Sequence, residues 1–153
     1  MNNKDKNSRV VSHHTRILNE STPFAIKEAF NQLRTNLMYT ANDGDGCPVF
    51  AITSAEESVG KSTITSNLSI SYSNINKKVL LIDSDMRRPM VYRFFELNKK
   101  STGLSELLSG IVEDDSQVIR EVIPNLSVIT SGCIPPNPAE LISNIRLKVL
   151  GDI

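Results

Sequence analysis

The amino-acid sequence predicts an α/β fold in which helices cover both faces of a mainly parallel sheet. Three short apolar runs of strand length, at residues 49–53, 78–83 and 126–130, alternate with helical patterns along the chain. The second run is continuously apolar instead of alternating, as expected for a parallel strand that is buried on both faces. This strand–helix–strand order favours a single sheet with right-handed crossovers.

The length, charge and cysteine content of the chain argue against several classes of protein. The chain of 153 residues is about one domain long, and its 17 basic residues balance its 17 acidic residues. A balanced charge gives no support for a nucleic-acid partner. Cys47 and Cys133 lack the spacing of a metal site or a redox pair. No apolar run has the ~20 residues of a membrane span, and residues 1–9 form no signal peptide. We expect a cytoplasmic protein that reaches the membrane only through a partner.

The first part of the chain is predicted to be a flexible arm followed by a helix. Residues 1–20 are polar and are predicted to form the arm, whereas residues 21–153 are predicted to form one domain. Thr22 and Pro23 have the pattern of an N-cap followed by proline at the first helical position. A helix over residues 23–40 follows from the apolar spacing of Ile26, Phe30, Leu33 and Leu37. Residues 42–46 are predicted to be a turn-rich connector.

The later elements are predicted from similar signals. The helix after residue 60 is expected to present Ile64, Leu68 and Ile75 on one face, while Ser66, Ser69 and Ser71 allow close packing. A short helix over residues 104–108 is bounded by Gly103 and Gly110. A rigid proline-rich loop over residues 135–138 precedes a final helix over residues 139–150.

The strongest chemical signal is the sequence from Gly60 to Thr63, which lies between a predicted strand and a predicted helix. Helix N-termini bind phosphate through unpaired N–H groups and the positive end of the helix dipole. Gly60 lets the backbone approach the phosphates, Lys61 reaches the β- and γ-phosphates, and the Ser62 hydroxyl ligates Mg²⁺. Thr63 is placed to contact the α-phosphate. The sequence therefore predicts an ATP–Mg²⁺ site in a three-layer P-loop NTPase fold.

The loop departs from the usual phosphate-binding pattern at two positions. Ala55 stands where the pattern has glycine, and Ser58 replaces a second glycine. If Ser58 has a positive φ, it costs ~1 kcal/mol. Ser58 and Val59 are nevertheless predicted to contact the nucleotide. The alternative is that Gly60 and Lys61 merely open an ordinary helix.

Two carboxylates follow the second predicted strand. Asp83 and Asp85 are two residues apart, so in an extended chain they point to the same side. In open parallel sheets ligands bind beyond the carboxyl ends of the strands, where the phosphate loop also lies. The alternative is that Asp83 caps a helix or a turn, and that Arg87 and Arg88 form a solvated basic turn.

Four stretches resemble the bacterial tyrosine kinases that control capsular and exopolysaccharide synthesis. They are an early helix from Glu28 to Leu37, the phosphate loop with residues 64–68, the segment from Leu80 to Pro89, and the stretch from Gly132 to Leu141. The segment from Leu80 to Pro89 is similar to the family's additional Walker box and discriminates best between this family and related ATPases. The resemblance covers nearly all of the chain after residue 20.

The resemblance implies an ATP-dependent, autophosphorylating protein tyrosine kinase. In it, Lys61, Ser62 and Thr63 would bind ATP–Mg²⁺. Asp83 would be the base for the tyrosine hydroxyl or a metal ligand, and Asp85 would assist at the metal. Arg87 would act on phosphate or at a subunit contact.

The resemblance also implies partners. The helix from Glu28 to Arg34 would join copies of the chain in a homo-oligomer, which Asn31 would weaken because it replaces an arginine. The cytoplasmic end of a transmembrane chain-length regulator would activate the kinase.

Two further implications concern the end of the chain and its activity. The family's Walker B strand and tyrosine-rich tail would follow Ile153, so a domain that is incomplete at its C-terminus is expected. The alternatives are a partition- or cell-division-type ATPase and a nucleotide-binding fragment without catalytic activity.

Overall fold

The computed structural model describes residues 17–41 and 47–142, and the predicted α/β fold is confirmed. The predicted arm up to residue 16, the connector over residues 42–46 and the final helix beyond residue 142 lie outside the described residues. The elements are α1 Phe24–Thr40, α2 Lys61–Ser73, β1 Val79–Ile82, α3 Val91–Phe94, α4 Leu104–Ser109, β2 Ile119–Ile123, β3 Leu126–Ile129 and α5 Pro138–Ile142.

The sheet has three strands in the described part of the chain, in the order β1-β3-β2. β1 and β3 are parallel, with Val79 opposite Leu126 and Ile82 opposite Ile129. β2 is antiparallel to β3, so the sheet is mixed. Because β1 and β3 are parallel neighbours, the chain leaves both strands at the same edge of the sheet.

Side chains that alternate along β1 and β3 form the two faces of a three-layer sandwich. One face contains Leu81 and Val128, which pack with Ile70 of α2. The other face contains Ile129, which packs with Leu104 of α4. These layers follow from the period of two in a strand, which sends successive side chains to opposite faces.

The predicted strand over residues 49–53 is wrong. In the structure this segment belongs to no sheet, and Val49 and Phe50 are exposed by 83% and 38%. The Phe50 ring instead stacks on Tyr72 of α2, with 6.3 Å between ring centroids. An apolar run becomes a strand only when a neighbour supplies hydrogen-bond partners. None of the three described strands pairs with it.

Two elements were not predicted, namely α3 and β2. The apolar residues of β2 do not alternate regularly, because Arg120 and Glu121 interrupt them. The strand forms by pairing across a tight turn in which Asn125 has φ +66°. Asparagine tolerates this left-handed conformation better than most residues.

The predicted helices occur at their predicted positions in the described residues, but the buried face of α2 differs from the prediction. α1 begins at Phe24 with Pro23 at the N-cap position, so the predicted cap at Thr22 is wrong, and Thr22 Oγ1 instead accepts from the Asn19 backbone N–H. In α2 the serines at 66, 69 and 71 are buried as predicted, and Leu68 and Ile70 face the interior. Ile64, and Ile75 just after the helix, are exposed. No helix in residues 17–41 and 47–142 has the length and apolar character needed to cross a membrane.

The start of the described chain and α1 are both fixed to α2. Ile17 and Leu18 pack against the core beneath α2, and the Leu18 backbone N–H donates to Asn67 Oδ1 at 2.6 Å. Arg34 Nη1 of α1 donates to the Ser71 carbonyl at 2.7 Å and to Ser71 Oγ at 2.8 Å. Asn31 accepts from the same guanidinium at 3.1 Å. Arg34 therefore connects α1 to the C-terminal turn of α2, where a positive charge is favourable.

Replacing Arg34 by methionine removes this connection. We expect Arg34→Met to lower the free energy of unfolding by about 1–3 kcal/mol, because the oxygen atoms of Ser71 and Asn31 lose their charged donor. Urea denaturation measures the change. Lys99→Met, at an exposed position, is the matched control. If both variants unfold at the same midpoint, the Arg34 hydrogen bonds contribute nothing to stability.

Candidate functional site

The phosphate loop ends where α2 begins. Gly60 is the N-cap residue, with φ +97°, and Lys61 is the first residue of the helix. A Cβ at Gly60 would meet no atom within 4 Å, so glycine is needed for its backbone conformation and not for lack of space. The first N–H groups of α2 have no acceptor inside the helix and are available to an anion.

The Lys61 side chain folds back over the loop that precedes it. Its Nζ donates to Ser54 Oγ at 3.0 Å and to the Glu56 carbonyl at 3.5 Å. Ser54 Oγ donates in turn to the Glu56 carbonyl at 2.6 Å. The amine therefore lies on the loop side of the helix N-terminus, where phosphate oxygens can replace these neutral acceptors.

The other predicted nucleotide contacts lie at the same junction. Ser58 has φ +58°, so it adopts the left-handed conformation for which a cost of ~1 kcal/mol is expected. Val59 is half exposed, and Ser62 and Thr63 follow Lys61 in the first turn of α2. The six predicted residues 58–63 thus form one continuous loop–helix corner.

Asp83 is buried directly after β1. Its Oδ1 accepts from the Asp85 backbone N–H, and its Oδ2 accepts from the N–H groups of Met90 and Val91 at 3.2 and 3.1 Å. Burial raises the pKa of the Asp83 carboxyl, and the three backbone hydrogen bonds oppose that rise. Asp83 therefore caps the start of α3, which is the structural alternative that the sequence left open.

Asp85 organises the turn that follows. Its Oδ1 accepts from the backbone N–H groups of Arg87 and Arg88 at 3.2 and 2.9 Å. Its backbone N–H donates to Asp83 Oδ1, so the two residues lie close together, and its negative charge adds to the raised pKa of Asp83. The Arg87 side chain is exposed. The turn thus holds both carboxylates at the end of β1.

An ion pair joins the phosphate loop to the aspartate segment. The Arg88 guanidinium contacts the Glu57 carboxylate, and both side chains are exposed. An exposed pair contributes at most about 1 kcal/mol to stability. The ion pair is informative because it shows that residue 57 of the phosphate loop contacts residue 88 of the aspartate segment.

The donor set suits a magnesium ion that is shared with phosphate. No group of three His, Cys, Asp or Glu residues is arranged to hold a metal within the described ranges. Mg²⁺ is usually held by one or two protein oxygens together with phosphate oxygens and water. Ser62 has a hydroxyl, and Asp83 and Asp85 have carboxylates, which are oxygen donors of the type that Mg²⁺ accepts.

Sequence reasoning missed Glu106, a buried carboxylate at the third position of α4. Its Oε2 accepts from the Gly103 N–H at 2.8 Å, and its Oε1 accepts from the Cys133 N–H at 3.0 Å. Burial raises the pKa of Glu106, but the hydrogen bonds from Cys133 and Gly103 outweigh it, and the net pKa is lowered. The signal in the sequence was a glutamate three residues after the glycine at which α4 begins.

Comparison with known proteins places this geometry in a family. The AAA domain family matches residues 48–145. The tyrosine-protein kinase YwqD of Bacillus subtilis is 40% identical over 123 residues, which are 80% of this chain and 51% of YwqD. The putative tyrosine-protein kinase CapB of Staphylococcus aureus is 34% identical over 125 residues, which are 82% of this chain and 54% of CapB.

A solved structure agrees with these matches. The kinase domain of the Escherichia coli tyrosine kinase ETK superimposes with a TM-score of 0.76 at 30% identity, over 88% of this chain and 55% of that domain. The chain thus has an α/β nucleotide-binding fold and belongs to the AAA domain family. Within that class its relatives are bacterial tyrosine kinases, so the resemblance predicted from the motifs is confirmed. The chain spans about half the length of CapB and YwqD.

The left-handed conformation of Ser58 gives a testable stability effect. We expect Ser58→Gly to raise the free energy of unfolding by up to about 1 kcal/mol, because glycine relieves the steric cost while losing some entropy of its own. Urea denaturation measures the change. Ser109→Gly, at the last residue of α4, is the control and is expected to destabilise the protein. A decrease in stability for Ser58→Gly would contradict the backbone conformation.

The lowered pKa of Glu106 predicts a pH dependence. The stability that the ionised carboxylate contributes is complete above the pKa of an unfolded glutamate, about 4.3. It is lost as the pH falls through the lower folded pKa. We expect Glu106→Gln to cost about 1–3 kcal/mol at neutral pH, and this difference from wild type to shrink on acidification. Denaturant titrations at several pH values measure it, and Glu113→Gln at an exposed position is the control. A difference that does not change with pH would contradict the assignment.

Proposed function

We propose that this chain is the ATP-binding part of an ATP-dependent, autophosphorylating protein tyrosine kinase. The observation that supports the proposal most directly is the contact between Glu57 and Arg88, because it joins the phosphate loop to the aspartate segment. The kinase names of the relatives and of the structural neighbour support the same reaction.

The proposed site would act by positioning and by neutralising charge. Lys61 and the N–H groups at the start of α2 would bind the β- and γ-phosphates of ATP. Ser62 and Asp85 would hold Mg²⁺, which supplies charge neutralisation when it is bound, and Asp83 would be a further ligand only as the alternative to its role as base. Thr63, Val59 and Ser58 would complete the nucleotide contacts.

Asp83 is the proposed general base for the tyrosine hydroxyl. Burial raises the pKa of its carboxyl, which makes the carboxylate a better proton acceptor. Its hydrogen bonds to Met90 and Val91 would hold it in place while it accepts the proton. Arg87 extends from the same turn and would contact phosphate or a neighbouring subunit.

The proposal extends to the cellular role. The kinase would regulate capsular or extracellular polysaccharide biosynthesis in the cytoplasm, and a transmembrane chain-length regulator would recruit and activate it at the membrane. The helix segment from Glu28 to Arg34 would take part in homo-oligomer formation. Because Arg34 already donates to Ser71 within the chain, and Asn31 replaces an arginine, that contact is proposed to be weak.

Nucleotide binding by the chain is the first test. We expect Lys61→Met to weaken ATP–Mg²⁺ binding about tenfold or more, because a charge-assisted contact to phosphate is lost. Isothermal titration calorimetry measures the dissociation constant. Lys78→Met, at an exposed position outside the loop, should bind as wild type does. Equal binding by wild type and Lys61→Met would contradict the proposed phosphate site.

The reaction is tested separately. With a tyrosine-containing peptide and ATP–Mg²⁺, a kinase forms phosphotyrosine, whereas a partition- or cell-division-type ATPase releases phosphate alone. If the chain binds nucleotide and does neither, the activity proposed for this chain is wrong and the nucleotide site remains.

A further inference from the structure

Glu106 holds the segment that follows β3, which is distant from Glu106 in the sequence. Both of its carboxylate oxygens accept hydrogen bonds, from the backbone N–H groups of Gly103 and Cys133 and from Ser105 Oγ at 3.0 Å. Its side chain is 8% exposed. A buried carboxylate is stable only when such donors compensate for the loss of water. Glu106 therefore joins the first turn of α4 to Cys133.

The backbone around this carboxylate is closely packed. Gly132 has φ +77°, and a Cβ there would lie 2.0 Å from Glu106 Oε2. A Cβ at Gly103 would lie 2.3 Å from the Thr130 carbonyl. Two further backbone bonds fix the same segment, from Leu104 N–H to the Thr130 carbonyl and from Ser105 N–H to the Ser131 carbonyl. Residues 130–133 are thus tied to α4 on both sides of Gly132.

This segment borders the aspartate segment at the edge of the sheet. The Asp83 backbone N–H donates to the Ile129 carbonyl at 2.9 Å, so the segments that follow β1 and β3 leave the sheet side by side. Ligands of open parallel sheets lie beyond this edge. The segment that follows β3 therefore begins beside Asp83, at the carboxyl ends of both strands.

We propose that Glu106 is a positioning residue for nucleotide binding, which fixes residues 130–133 as one wall of the site beside Asp83. This inference rests on the proposed function, since the ligand is ATP–Mg²⁺. Glu106 acts through the segment and does not contact the nucleotide. Its loss would let the segment move, and displacements of about 1 Å can change activity a hundredfold.

The test compares Glu106→Gln with wild type in two measurements. The first is the dissociation constant for ATP–Mg²⁺, at a temperature where circular dichroism shows both proteins folded. We expect binding to weaken about tenfold. The second is hydrogen exchange at the Cys133 amide, which we expect to speed up about tenfold, because glutamine is uncharged and offers one acceptor oxygen where the carboxylate offers two.

The controls separate the carboxylate from its neighbours. Glu113→Gln alters an exposed glutamate outside this segment, so it should bind ATP–Mg²⁺ as wild type does. Ser105→Ala removes only one donor to Glu106 and should give a smaller loss of affinity in the same direction. It also serves as the test variant if Glu106→Gln does not fold.

The outcomes distinguish this inference from the proposed function. Faster exchange at Cys133 with unchanged ATP–Mg²⁺ affinity would overturn the positioning role and leave the nucleotide site standing. Unchanged exchange would overturn the connection itself. If wild type binds no ATP–Mg²⁺, the proposed function and the positioning role that rests on it both fail, while exchange at Cys133 still reports whether Glu106 holds the segment.

Discussion

The parallel pairing of β1 with β3 is the constraint on which the rest of the structure depends. It brings the chain out of both strands at one edge, where the Asp83 N–H continues the ladder to the Ile129 carbonyl. Beyond that edge the backbone turns sharply and must satisfy its own polar groups. Asp83 and Asp85 do so for the segment after β1, and Glu106 does so for the segment after β3. Carboxylates thus satisfy the backbone of both segments that leave the sheet at this edge.

The same residues therefore combine structural and chemical properties. Asp83 caps α3, and that burial raises the pKa of its carboxyl. Capping does not exclude catalysis, because Oδ2 accepts two backbone N–H groups but Oδ1 accepts only one and keeps a lone pair. Lys61 also has a structural contact and a chemical property, because its amine is held over the loop by neutral oxygen atoms that phosphate can replace.

Much of the fold could be predicted from the sequence, because its signals are local. A continuous apolar run predicted β1, and two glycines bounded α4 in the sequence as they do in the structure. The serines of α2 predicted its close packing. The candidate site was also local in origin, since its residues fall within two short segments that each follow an apolar run.

What the sequence could not predict depends on contacts between distant residues. Residues 49–53 have the composition of a strand but no partner among the described strands. β2 has an irregular pattern and forms because β3 pairs with it. Glu106 looks like an ordinary first-turn glutamate until Cys133, 27 residues later, is brought against it.

The central proposal is that the phosphate loop and the aspartate segment share one nucleotide. Substituting Mn²⁺ for Mg²⁺ with ATP places a paramagnetic ion in the site and broadens the NMR signals of nearby backbone amides. We predict broadening at residues 60–63 and at residues 84–88 together, at the same Mn²⁺ concentration. Broadening at residues 60–63 alone would contradict a shared site.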